Sequence, residues 1–220
     1  MCDARYCFTL IDIGDYGSNN DTGVLNNSVF GKRFSNGSMN IPSPRTVEGC
    51  SFDPLPFYIV GDDIFPLKDW LMKPFPGKSL TVEERIFNYR LSRCRRVIEN
   101  AFGILVARFR IFFTPICASV QNTESYIKAA VVLHNFLRQT ENAAYTPSGF
   151  IDCETIDGSI KPGFWRNEIG QNVDTCFLDF PKIRGYRQPK NASEMRDALK
   201  DFTVSEQGAL SWQLEYVTRT

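Results

Sequence analysis

Three features of the sequence predict an α/β fold. Residues 6–13, YCFTLIDI, are β-branched and aromatic and end at Gly14, which is the composition of a strand. Residues 57–60, FYIV, form a continuous apolar run between Pro56 and Gly61, the pattern of a strand buried on both faces. A long amphipathic helix then runs from about Thr81 to Phe109, and such a helix buries its apolar stripe on a sheet.

The elements follow in order. After the first strand, DYGSNNDTG (15–23) is rich in Gly, Asn and Asp and reads as a turn. A short helix is expected around Asn27–Arg33, then a loop over SNGSMNIPSPRTVEG. The second strand, FYIV, is followed at once by Asp62 and Asp63. The connector FPLKDWLMKPFPGKSL (65–80) predicts a helical turn near Leu67–Met72, stopped by Pro74. Thr81 and Glu84 make a capping box for the long helix. Its stripe is Phe87, Leu91, Cys94, Ile98, Ala101 and Leu105, at steps of four and three. SYIKAAVVLHNFLRQ (125–139) predicts a second apolar helix. Beyond it the chain is punctuated by Gly and Pro as far as YRQPKNAS, with a terminal amphipathic helix near Ser193–Phe202 and a tail holding Trp212.

The chain has 220 residues, enough for one domain with a tail and for a sizeable core. Acids and bases balance at 25 each, so bulk charge names no partner. The distribution is more telling: residues 85–110 hold seven arginines against one acid, Glu99. Such a strip is either an electrostatic footprint for phosphates or a solvated helix face. The seven cysteines (Cys2, Cys7, Cys50, Cys94, Cys117, Cys153 and Cys176) form no Cys-x-x-Cys pair. With one histidine, His134, a zinc site of Cys and His is not expected, and free thiols in a reducing compartment are. His134 itself reads as a hydrogen-bonded core histidine. No apolar run approaches the ~20 residues of a membrane span.

Two acids stand where chemistry is plausible. Asp62 lies at the carboxyl end of a strand, where ligands gather in open α/β sheets; Gly-Asp-Asp is equally a good strand stop. Glu99 falls about 100° past Ile98, at the edge of the stripe. Gly103, one turn on, costs about 1 kcal/mol relative to alanine in mid-helix, so something is expected to approach the helix there.

Several stretches together carry a family pattern: IDIGDYGSNNDTGVLNNSVF (11–30), YIVGDDIFPLKDWLMKPFPG (58–77), ERIFNYRLSRCRRVIENAFGILVARFRIF (84–112), LHNFLR (133–138), YTPSGFID (145–152) and SWQ (211–213). The third contains Asn-x-x-x-Ser-x-x-Arg-x-x-x-Glu-Asn-x-Phe-Gly, from Asn88 to Gly103. They resemble the Harbinger-type (PIF/Harbinger) DDE transposases and the nuclease-like proteins derived from them. The resemblance implies an RNase H-like mixed sheet with packed helices, a metal-dependent DNA-cutting and joining site using Mg²⁺ or Mn²⁺, and a nuclear location. It implies DNA as a partner and leaves open a separate DNA-binding partner protein. By position Asp62 matches the second catalytic acid, in Gly-Asp-x-x-[Tyr/Phe]-Pro, and Glu99 the third. Both would be metal ligands; Asp63 is the rival of Asp62, and neither Asp12 nor Asp21 matches a catalytic acid. Arg93, Arg95, Arg96, Arg108 and Arg110 are the candidates for DNA contact.

One departure stands out. The family's first acid lies in an Asp-Gly-x-His stretch upstream of the region matching residues 6–14, and Asp3 matches only a variable turn. The expectation is therefore a domain lacking its first catalytic strand and inactive as this chain. Residues 1–138 would form the partial nuclease domain and 139–220 a C-terminal extension. The alternative is a non-catalytic DNA- or protein-binding remnant.

Overall fold

The computed structural model describes residues 1–15, 20–155, 157–169 and 189–218. It is a mixed α/β structure of helices and small sheets. In chain order the elements are α1 (Asp21–Asn27), α2 (Val29–Ser35), β1 (Ile59–Val60), β2 (Leu71–Met72), α3 (Val82–Arg108), a 3₁₀ turn (Arg110–Phe113), α4 (Val120–Thr140), α5 (Asn142–Tyr145), β3 (Cys153–Glu154), β4 (Ile160–Lys161), α6 (Trp165–Ile169), α7 (Lys190–Val204) and α8 (Gln213–Thr218). Two compact units divide the chain, with the division inside α3. One comprises Ser18–Arg95 and Pro181–Thr220, the other Met1–Gly17 and Arg96–Phe180.

In the first of these units, helix begins at Asp21, inside the turn expected over 15–23, of which residues 16–19 lie outside the described residues. The Asn20 side chain accepts from the Gly23 amide at 2.7 Å and caps α1, and Asp21 adds a favourable charge to its first turn. The helix expected at Asn27–Arg33 is displaced by Ser28. Its hydroxyl donates to the Leu25 carbonyl at 2.7 Å and accepts from the Gly31 amide at 2.9 Å, so it ends α1 and caps α2.

FYIV does form a strand, but only at its last two residues. β1 pairs in parallel with β2, Ile59 opposite Leu71 and Val60 opposite Met72. Tyr58 and Val60, two residues apart and hence on one face, pack on a core of Leu67, Met72, Phe87, Leu91, Ala192, Met195 and Leu199. Phe57 is 40% exposed and Ile59 only partly buried, so the expectation of burial on both faces fails: one face alone has a core to cover. The helical turn expected near Leu67–Met72 is replaced by a tight reversal. Lys68 and Leu71 exchange both backbone hydrogen bonds, at 3.0 and 3.2 Å, and the chain leaves extended to pair with β1.

Helix α3 starts as its sequence predicts. The Glu84 amide donates to Thr81 Oγ1 at 3.2 Å, and the Thr81 amide donates to the Glu84 carboxylate at 2.9 Å. Phe87 and Leu91 belong to the core that β1 packs on. Ile98, Ala101 and Leu105 belong to a different core. The stripe therefore serves two cores, and Cys94, in the interval, is exposed rather than buried. The terminal helix α7 buries Ala192, Met195 and Leu199 at helical spacing. Trp212 of the tail lies edge-on to Tyr89, 5.8 Å between centroids.

In the other unit, the expected strand at 6–13 does not form. Residues 1–10 make a hairpin instead: the N-terminal amine donates to the Leu10 carbonyl at 2.7 Å, and the Thr9 amide donates to Met1. Tyr6 closes its turn at φ 65°, a left-handed conformation that a three-residue hairpin loop requires at its last position. Where a further strand would pair, the side chain of Asn135 does so. Its Oδ1 accepts from the Phe8 amide and its Nδ2 donates to the Phe8 carbonyl, both at 2.8 Å. Phe8 then packs with Ala101, Leu105, Ala130 and Val131, so α3 and α4 share one apolar layer. A neighbouring cluster joins Ile104, Ala107, Tyr145 and Phe150.

His134 is the core histidine its sequence predicts, with no exposed surface. Nε2 lies 2.8 Å from the Tyr6 carbonyl and must donate; Nδ1, 3.0 Å from the Tyr145 hydroxyl, therefore accepts. Burial holds its pKa below the ordinary value. Arg138 completes the LHNFLR segment by donating twice to the Arg5 carbonyl and lying over the Tyr6 ring. Three side chains of one helix face thus hold the hairpin. The six described cysteines are free thiols; Cys176 and the whole of residues 170–188 in the Gly- and Pro-punctuated stretch lie outside the described residues. No helix among the described residues is long and apolar enough to cross a membrane.

Candidate functional site

Asp62 stands where the sequence places it, two residues beyond Val60 at the carboxyl end of β1. The surrounding turn is held firmly. Asp62 Oδ1 accepts from the Asp63 amide at 2.6 Å. Lys73, just after β2, donates to the carbonyls of Asp63 and Phe65, both at 2.6 Å. Thr22 of α1 donates its hydroxyl to the Ile64 carbonyl at 3.2 Å. The second carboxylate oxygen, Oδ2, accepts from Arg95 Nη2 at 2.8 Å. Arg95 reaches it from α3, so strand end and helix are joined by an ion pair.

Glu99 lies one turn further along α3 and is exposed. It belongs to the unit of Arg96–Phe180, whereas Asp62 belongs to that of Ser18–Arg95. The residue after it, Asn100, is 2% exposed and organises a polar cluster. Asn100 Oδ1 accepts from Trp165 Nε1 at 2.9 Å and from the Asp152 amide at 3.2 Å. Asp152 in turn accepts from the Gly163 amide at 2.7 Å and from Arg166 at 2.6 Å, with its own side chain 1% exposed.

This cluster explains Gly103. A Cβ there would meet three carbons of the Trp165 ring at 2.6–2.7 Å. What approaches the helix beside Glu99 is an indole from α6. Sequence reasoning missed Asn100, Asp152, Trp165 and Arg166 as a group. The available signal was the pairing of Asn100 with Glu99 in one motif and of Asp152 with the YTPSGFID segment.

The candidate arginines have varied surroundings. Arg95 is bonded to Asp62. Arg93 lies 4.8 Å over the Trp212 ring. Arg108 donates to the Tyr145 carbonyl at 2.8 Å and covers the Phe150 ring at 4.1 Å, so it helps hold its own unit together. Arg96 is partly buried, and Arg110 is exposed over Phe113.

Whether these residues fit a divalent ion is a question of donors. Hard cations take several carboxylate and carbonyl oxygens at once. Among the described residues no group of three His, Cys, Asp or Glu side chains is placed to hold a metal. Both Asp62 oxygens are engaged, one by a guanidinium. As arranged, the residues at Asp62 do not form a metal site.

A sequence profile described as DDE superfamily endonuclease matches residues 1–135, more than half of the chain. The chain belongs to that family. "Protein ALP1-like" of Arabidopsis thaliana is 36% identical over 99 residues, which cover 43% of this chain and 23% of that protein. The DDE superfamily chain thus matches less than a quarter of that relative's length. No solved structure matches it. The family supports the resemblance on which Asp62 and Glu99 were singled out, and it makes this an endonuclease-like domain of transposase type.

Proposed function

We propose that this chain carries part of a Harbinger-type, RNase H-like nuclease domain that hydrolyses or joins DNA phosphodiesters in the nucleus, with Asp62 and Glu99 as catalytic acids. Residues 1–138 would be its nuclease portion and 139–220 an extension. The observation that carries the reading is Asp62 at the carboxyl end of β1, inside the region that matches the DDE superfamily endonuclease family. The reading requires a divalent ion, Mg²⁺ or Mn²⁺, as cofactor, and DNA as partner, with a separate DNA-binding protein supplying target recognition.

The arrangement at Asp62 favours a second form of the reading for this chain alone. Asp62, one of the acids the reading needs, is paired with Arg95. In this form the domain binds DNA or protein without catalysis. Phosphate contacts would come from among Arg93, Arg95, Arg96, Arg108 and Arg110.

Binding to a fluorescent DNA duplex, followed by anisotropy as salt is raised, tests the nucleic-acid part. Each neutralised phosphate contributes about −0.9 to the slope of log K against log salt, so about three contacts predict a slope near −3. A flat profile, or no binding, would remove DNA as the partner and leave a protein-binding role.

A further inference from the structure

We propose that a cleft beside α2 takes one arginine side chain from a segment of a partner polypeptide.

The cleft lies inside the unit of Ser18–Arg95, and none of the candidate catalytic or DNA-contacting residues lines it. Its volume is about 190 Å³. Pockets for small molecules and cofactors hold about 300–1,000 Å³, so this one suits a single side chain. Two of its walls are rings: Phe34 of α2 and Trp70 of the reversal that leads into β2, stacked with centroids 4.9 Å apart. Both are buried. The Trp70 carbonyl accepts from the Ile59 amide of β1 at 2.9 Å, so this wall is fixed before any partner arrives. Met39, Ile41 and Phe57 add apolar surface. Ile41 and Phe57 are 43% and 40% exposed.

One lining group is charged, and it selects the occupant. Asp69 stands exposed in the same reversal, next to Trp70. Among the described residues no hydrogen bond or ion pair engages its carboxylate. An apolar side chain seated here would draw water away from Asp69 and return nothing, and stripping water from an unpaired charge is costly. A basic side chain serves both features: its aliphatic stem lies on the apolar walls while its head pairs with the carboxylate. Arginine suits the site better than lysine, because its planar, weakly hydrated guanidinium also stacks on aromatic faces. Phe57 already draws one such group: the guanidinium carbon of Arg45 lies 5.5 Å from its ring centroid. The exposed sides of Ile41 and Phe57 are left for residues flanking the arginine, which makes the occupant a polypeptide. Arginine anchors in preformed pockets carry much of the affinity at protein interfaces.

An NMR titration of the ¹⁵N-labelled full chain with N-acetyl-arginine amide tests the assignment, read at the indole N–H resonances of the three tryptophans. N-acetyl-citrulline amide, of the same shape without the charge, and the leucine and lysine amides are run beside it, in wild type and in Asp69→Asn. The expected result is a saturable shift at Trp70 while Trp165 and Trp212 stay fixed. Arginine amide should bind about three- to fivefold tighter than citrulline amide, the factor of a partly exposed ion pair. Asp69→Asn should erase that preference, and raised salt should reduce it. Leucine or lysine amide binding as tightly as arginine amide would overturn the proposal. A preference for arginine that survives Asp69→Asn, equal shifts at all three indoles, or no shift at Trp70 with any amide would overturn it as well. Should Asp69→Asn fail to fold, the comparison of arginine with citrulline in wild type still decides: equal binding refutes the charge pairing.

Discussion

The indole of Trp165 rests against the bare α-carbon of Gly103, with ring carbons 2.6 Å from where a Cβ would stand. The indole nitrogen is tied at the same time to Asn100, three residues back on the helix, at 2.9 Å. The ring cannot slide away without breaking that bond. Gly103→Ala gains about 1 kcal/mol in helix propensity but overpacks this contact, which costs about 1–3 kcal/mol. With the hydrogen bond strained as well, the expected net change is a destabilisation of about 1–2 kcal/mol. A lowered urea midpoint with an altered tryptophan emission would check it; an alanine variant more stable than wild type would contradict it.

Asn135 stands in for a strand by bonding both backbone groups of Phe8. Asn135→Ala removes two hydrogen bonds at a part-buried site, and loss of about 1–3 kcal/mol is expected. Amide hydrogen exchange at Phe8 should accelerate along with it. Unchanged exchange would mean that the hairpin holds itself.

His134 makes stability depend on pH. In the folded chain the neutral ring donates through Nε2 and accepts through Nδ1, and burial lowers its pKa from 6.5. A group whose folded pKa is depressed contributes its full stability above the unfolded value, and loses it as pH falls through the folded one. Stability should therefore decline from about pH 6.5 downward, because the unfolded chain takes up a proton that the folded chain resists. A urea series between pH 7.5 and pH 5, with His134→Gln as control, would show the decline in wild type and a flatter profile in the variant.

Arg95 and Lys73 themselves supply the positive charge that holds the turn after β1. Chelation should thus leave the melting temperature within about 1 °C of its value in 10 mM Mg²⁺. A preformed site with a dissociation constant a hundredfold below the ion concentration would instead add about 2.7 kcal/mol, worth about 5–11 °C in a chain of this size. Such a shift would contradict the account.

Much of the helical framework was legible because its signals are local. Thr81 and Glu84 cap α3 as their spacing predicts, and the terminal helix lies where its periodicity places it. His134 was legible as a core residue for the same reason. The errors fall where a distant side chain decides. Residues 6–13 have strand composition, but Asn135, far along the chain, takes the pairing positions of Phe8. Leu67–Met72 has the pattern of a helical turn, but β1 draws Leu71 and Met72 into a strand. Gly103 signalled a close approach, yet only the fold reveals that the approaching group is Trp165. Asp62 and Arg95 could each be picked out from the motif; that they bond to one another could not.

The most direct test is cleavage of supercoiled plasmid by the 220-residue chain in Mg²⁺ and in Mn²⁺, wild type beside Glu99→Gln. The account predicts no nicking above the background that Glu99→Gln shows, because Asp62 is held by Arg95. Divalent-dependent nicking by wild type, abolished in Glu99→Gln, would contradict it and make the chain an active endonuclease as it stands.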